Sequence, residues 1–168
     1  VFNYFGDAEQ AISAKSSSKQ TIFEHFNNKS AATHSINENY RNAKEITEYV
    51  NSEMNMNMRP VGISGQVAII ALDAISKIAI DADDRVALIC KKERLEELYS
   101  HIAHTLSVEC NLISDQSDEL QRGLINIIPV SLTKGLEFEK VVAVIDGMSF
   151  NERYVSFTRA LNELYVIN

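Results

Sequence analysis

The stretch LINIIPVSLTKGLEFEKVVAVI, Leu124 to Ile145, decides the fold. It holds two short β-branched runs, Leu124 to Val130 and Val141 to Ile145, joined across a turn at Gly135. Runs of the same kind flank it: RVALIC (Arg85 to Cys90) and Val108 to Ile113 before it, Leu164 to Ile167 after it. Between them Glu93 to Thr105 and Glu152 to Leu161 read as helices, and Asp115 to Arg122 as a polar connection. Short β-branched strands alternating with helices predict an α/β fold with a mostly parallel sheet and helices on both faces. Ligands of such sheets sit at the carboxyl ends of the strands, so Gly135, just past the first run, is expected at that rim with Glu137 beside it.

Upstream, Asn42 to Met54 places Ile46, Tyr49, Val50 and Met54 at helical spacing. Met54 to Met58 (MNMNM), followed by Pro60, reads equally as loop or strand. Val67 to Ile80 is apolar, with Leu72, Ile75, Ile78 and Ala79 predicting that most of it is a buried helix. Thr21 to Asn27 alternates like a strand, Ala14 to Gln20 (AKSSSKQ) reads as a loop or domain boundary, and Val1 to Phe5 with Ala8 to Ile12 reads as a strand and the start of a helix.

A chain of 168 residues, 45% of them hydrophobic, is long enough for one sizeable core and too short for two. Cys90 and Cys110 lie in apolar runs without Cys-x-x-Cys spacing, which indicates neither a disulfide framework nor a zinc site and fits a reducing, cytoplasmic setting. The sequence has no apolar run long enough to span a membrane and no basic-then-apolar leader. A net charge of −7 disfavours a free-standing nucleic-acid binder, so any contact with nucleic acid is expected to be local.

Four elements carry chemistry. Gly6-Asp7-Ala8-Glu9-Gln10 follows a predicted strand and offers a carboxylate and an amide to a water or a terminal phosphate. Asn39-Tyr40-Arg41 precedes the Asn42 to Met54 helix, Asn39 as a cap of the helix or its approach and Arg41 as a guanidinium facing a cleft. Lys134-Gly135-Leu136-Glu137-Phe138 is the central turn, and Thr158-Arg159-Ala160 puts an arginine on the helix leading into the last strand. Taken singly these are a turn, a cap and a surface charge. In order and character they resemble motifs III, IV, V and VI of UvrD/Rep-type superfamily 1 helicases.

The resemblance implies a motor of two RecA-like P-loop NTPase domains, with ATP between them and single-stranded DNA across their top. Residues 1–20 are then the end of the N-terminal motor domain and a linker, and residues 21–168 the C-terminal RecA-like domain. Arg41 and Arg159 are implied as arginine fingers, Gln10 as the coupler of the γ-phosphate, Gly135 and Glu137 as nucleotide contacts with Glu137 on the ribose, and Ser131 and Thr133 as nucleic-acid contacts. ATP with Mg2+ is implied as the cofactor, held mainly by the N-terminal domain. The chain contains neither a Gly-x-x-x-x-Gly-Lys-Ser/Thr loop nor a magnesium-holding acidic pair, so alone it is expected to hydrolyse no ATP.

Three departures from the family pattern sharpen this. Ser131 stands where the family often has a histidine on the strand, the Phe138 to Thr158 segment is short, and the subdomain inserted between motifs IV and V is small or missing. These features resemble the branch that associates with RNA polymerase and displaces it. The alternatives are therefore polymerase displacement rather than unwinding, and a noncatalytic RecA-like interaction module. His101 and His104, on one helix face, lack a third metal ligand nearby, and Lys91 and Lys92 read as surface lysines. Tyr40 and Phe138 are expected to pack rather than to stack on a base.

Overall fold

The computed structural model describes Glu24 and residues 37–168. The strand at 1–5, the helix at 8–12, the serine-rich stretch, Gly6, Asp7, Gln10 and the proposed boundary at residue 20 lie outside the described residues. Glu24 is helical, where extended backbone was expected.

The chain runs β1 (Glu38–Asn39), α1 (Lys44–Met54), β2 (Arg59–Pro60), β3 (Gln66–Ile69), β4 (Val86–Cys90), α2 (Leu95–Ser100), β5 (Cys110–Leu112), β6 (Ile125–Pro129), β7 (Phe138–Val144), α3 (Phe150–Thr158) and β8 (Ala160–Ile167). Strands β3 to β8 form one six-stranded sheet in the order β3-β8-β7-β4-β6-β5. Every pairing in it is parallel, and β1 and β2 pair separately. The expected parallel α/β architecture is therefore the observed one.

Central strands read as unbroken apolar runs because both of their faces are covered. In β4, Ala87 and Ile89 join α1 and α3 in one core layer with Ile46, Val50, Phe157 and Leu164. Val86, Leu88 and Cys90 turn the other way and pack with Leu95, Leu98 and Ile102. Burial raises the Cys90 thiol to about 12, so it is inert at neutral pH. Tyr49 of α1 meets Phe157 of α3 edge to face at 5.4 Å and locks the two helices of one layer together.

Several elements depart from expectation. Val67 to Ile80 is not one helix. It opens with edge strand β3, paired to β8, and continues in a 3-10 helix, Leu72–Lys77. Leu72, Ile75 and Ile78 recur every third residue, the period of a 3-10 rather than an α-helix, and pack on the second core layer. The MNMNM run is a helix end and a return. Asn55 adopts the left-handed conformation at φ 50°, and the Asn51 amide both donates to Met58 O (2.7 Å) and accepts from Met58 N (2.9 Å). Strand β7 begins at Phe138, ahead of the expected Val141, because polar Lys140 is buried in it. Helix α3 begins at Phe150 behind a capping box, Ser149 accepting from Glu152 N and Glu152 accepting from Ser149 N.

Candidate functional site

The connection from β6 to β7, residues 130–137, places the central motif. Parallel strands need a crossover, so the segment leaves one strand's carboxyl end and must reach the next strand's amino end. A 3-10 turn, Val130–Leu132, opens it at the carboxyl rim. A tight turn follows, Leu136 N donating to Thr133 O (3.0 Å), with Gly135 at φ 83°. Glu137 directly precedes β7, and Arg159 directly precedes β8. Both therefore stand at the amino edge of the sheet, not at the carboxyl rim where Glu137 was expected.

That edge gathers the motif residues. Arg41 Nη1 lies 3.5 Å from Glu137 Oε1, the two side chains 38% and 42% exposed. Arg41 Nη2 donates to Thr158 O (3.2 Å), the carbonyl just before Arg159. Arg159 is buried at the end of α3, with Nη1 donating to Leu136 O (3.2 Å), the carbonyl just before Glu137. Each arginine thus holds the backbone beside another member of the group. Arg41 and Glu137 are open to solvent, whereas Arg159 is not.

Asn39 turns the approach rather than capping the helix itself: its Oδ1 accepts from Arg41 N and Asn42 N, both at 3.1 Å, while the N-cap, Ala43, has no side-chain bond. Phe138 is fully buried, as expected. Tyr40 is not packed: it is 66% exposed, its hydroxyl donating to Glu38 Oε2 at 2.6 Å. That bond to the carboxylate holds the phenol above its usual range. Tyr40 lies just past the two-residue strand β1, outside the six-stranded sheet and its core layers. A cavity of ≈340 Å3 opens there, lined by Asn37, Glu38, Asn39, Tyr40, Arg41 and Met58.

Of the two expected nucleic-acid contacts, Ser131 is exposed, whereas Thr133 is buried with its hydroxyl donating to Val130 O (2.8 Å). Lys91 is committed to Glu152 (3.0 Å), and His101 faces Asp73 (3.3 Å). Among the described residues no group of three or more His, Cys, Asp or Glu is placed to hold a metal ion. None of their helices is long and apolar enough to cross a membrane.

A larger cavity, ≈690 Å3, lies at the carboxyl ends of β3, β7 and β8, walled by Ile69, Leu98, Val144 and Ile167. It contains none of the motif residues, and its one charged pair, Arg94–Asp146, is closed at 2.8 Å. The amino edge is the better candidate because, among the described residues, cation, carboxylate and exposed ring converge there and not at the larger cavity.

Sequence reasoning missed Asn42. Its side chain is buried, with Nδ2 donating to Thr158 O (3.1 Å) and Ala160 O (2.5 Å) and Oδ1 accepting from Asn39 Nδ2 (2.8 Å). The only signal was a second asparagine beside the motif arginine.

Gly135 has a cost of replacement that can be measured. A Cβ there would touch nothing, yet the positive φ strains any L side chain. Gly135→Ala is expected to lose about 1–2 kcal/mol in urea unfolding. A loss of zero would mean that the turn relaxes freely.

No family model and no curated relative matches the chain. Among solved structures it is similar to the C-terminal domain of a possible DNA helicase from Lactobacillus plantarum WCFS1, with TM-score 0.53 and 18% identity over 76% of this chain and 86% of that one. It is also similar to the PRRSV nsp10 helicase, with TM-score 0.42 and 11% identity over 77% of this chain and 23% of that one. The chain has the α/β fold of a helicase C-terminal, RecA-like domain.

Proposed function

We propose that the chain is the C-terminal motor domain of an ATP-dependent superfamily 1 DNA helicase or translocase of the UvrD/Rep type. It supplies one wall of an ATP cleft whose other wall, with the magnesium site, belongs to an N-terminal RecA-like domain. The observation that carries this reading is the convergence of Arg41, Glu137 and Arg159, distant in sequence, at one edge of the sheet.

Phosphoryl transfer needs positive charge spread over the equatorial oxygens, and a guanidinium offers a planar, permanently charged fork for it. Arg41 is open enough to meet a phosphate once it leaves Glu137, and Glu137 is then released to a ribose hydroxyl. The exposed Tyr40 ring, walling the neighbouring cavity, offers a face on which a nucleobase can stack. Ser131, exposed on the β6–β7 connection, is the candidate contact to single-stranded DNA. In the full-length protein Arg41→Ala is expected to lower ATP turnover about 100-fold. A folded variant with unchanged turnover would remove Arg41 from the nucleotide.

One observation favours a second reading, a noncatalytic interaction module: Arg159 is 2% exposed and engaged with Leu136 rather than open to a cleft. An ATP-independent full-length protein would decide for it.

A further inference from the structure

We propose that Asn42 is a positioning residue that sets Arg41 and Arg159 as one rigid pair. The inference rests on the motor reading above and adds a residue which that reading does not contain.

Asn42 joins the two arginines from inside. It is the chain neighbour of Arg41, and its buried Nδ2 holds Thr158 O and Ala160 O, the carbonyls on either side of Arg159. Its Oδ1 is taken by Asn39, whose own Oδ1 accepts from the backbone N–H groups of Arg41 and Asn42. All the polar atoms of the side chain are thus spent on the two motif segments and on nothing else.

The backbone is clasped as well. Ala43 N donates to Leu161 O (2.8 Å), and Lys44 N donates to Ile63 O (2.9 Å). Gly62 presses so close that a Cβ would sit 2.0 Å from Asn42 O. Only an amide supplies two donors and one acceptor at this size. Aspartate has the same shape but, ionised, offers acceptors alone to two carbonyls. Serine keeps one donor. Asn42 is 1% exposed, its side chain closed off from any ligand. It acts by fixing the two backbone segments that carry the guanidiniums relative to each other, and a displacement of about 1 Å in such groups costs on the order of 100-fold in rate.

The test is steady-state ATP hydrolysis by the full-length protein with single-stranded DNA, with thermal unfolding measured in parallel. Asn42→Asp is expected to lower kcat on the order of 100-fold while the KM for ATP stays near that of the parent, the pattern of an interaction realised in the transition state. Asn42→Ser, the milder change should the aspartate variant fail to fold, is expected to lose about 10-fold. In a background already carrying Arg41→Ala and Arg159→Ala, either substitution should cost nothing further, which a general loss of structure would not reproduce. Normal kcat in a folded Asn42 variant, with both arginine variants impaired, overturns this proposal and leaves the motor reading standing. Normal turnover in the two arginine variants overturns both.

Discussion

Arg159→Ala in the full-length protein is expected to lower ATP turnover on the order of 10³-fold or more, the scale on which an arginine finger acts. The residue sits where α3 ends and β8 begins, so its position is set by a helix and a central strand rather than by a loop. Its Nη1 bond to Leu136 O also steadies the turn that carries Glu137. Removing it should therefore cost some stability, on the order of 1 kcal/mol for a lost hydrogen bond. Arg159→Lys separates the two roles. It keeps the charge and lacks the fork, so turnover should stay low if phosphate geometry matters and recover if charge alone does. A folded Arg159→Ala protein that hydrolyses ATP at the parent rate would end the finger assignment and favour the interaction module.

Arg159, 2% exposed as a residue, cannot meet a nucleotide without a shift of its surroundings. Motion between the two motor domains is the natural source of such a shift, because ligand-driven closure assembles sites of this kind. Arg41 differs: its partner Glu137 is half exposed, and an exposed ion pair is worth little, so its release costs little. The two arginines are thus held by obstacles of unequal height.

Much of the fold was legible because parallel central strands announce themselves. RVALIC is buried at every position from Val86 to Cys90, an apolar run of strand length between charged flanks. Edges were harder. Val67 to Ile70 reads as part of a buried helix, because its apolar run does not show its period, and pairing with β8 makes it a strand. The start of β7 was hidden by Glu139 and Lys140, two charged residues whose partners, Arg85 and Asp84, lie far away in sequence. The site divided in the same way. Motif identity named Arg41, Glu137 and Arg159, and the structure brings them together. The rule that ligands sit at carboxyl ends put Glu137 at the opposite rim, because it follows where a connection starts and Glu137 stands where one finishes. Asn42 was invisible for a related reason: its meaning depends on two carbonyls more than a hundred residues downstream.

Lys140→Met is expected to destabilise the domain by about 3 kcal/mol, the cost of stripping one partner from a buried ion pair. Lys140 is 8% exposed in the middle of the sheet, and its Nζ donates to Ala79 O (2.7 Å) and pairs with Asp84 (2.9 Å) and Glu163 (3.6 Å). Burial alone would lower its pKa, but the bond to Asp84 and the charges of Glu163, Asp84 and Asp81 outweigh it and raise it. Asp84 is held below the usual carboxylate range, first by the Lys140 bond and then by Asp81 N–H. A carboxyl whose folded pKa is depressed gives stability that is present above its unfolded value, about 4, and lost as pH falls through the folded value. The parent should therefore weaken in acid. In the methionine variant Asp84 has lost its cation, so protonation of Asp84 costs that variant less. The gap between the two proteins should be widest near pH 7 and narrow below about pH 4, read from urea midpoints across that range. A constant gap would show that the lost stability comes from packing of the lysine stem, and a gap under about 0.5 kcal/mol would place the network among surface pairs that contribute little.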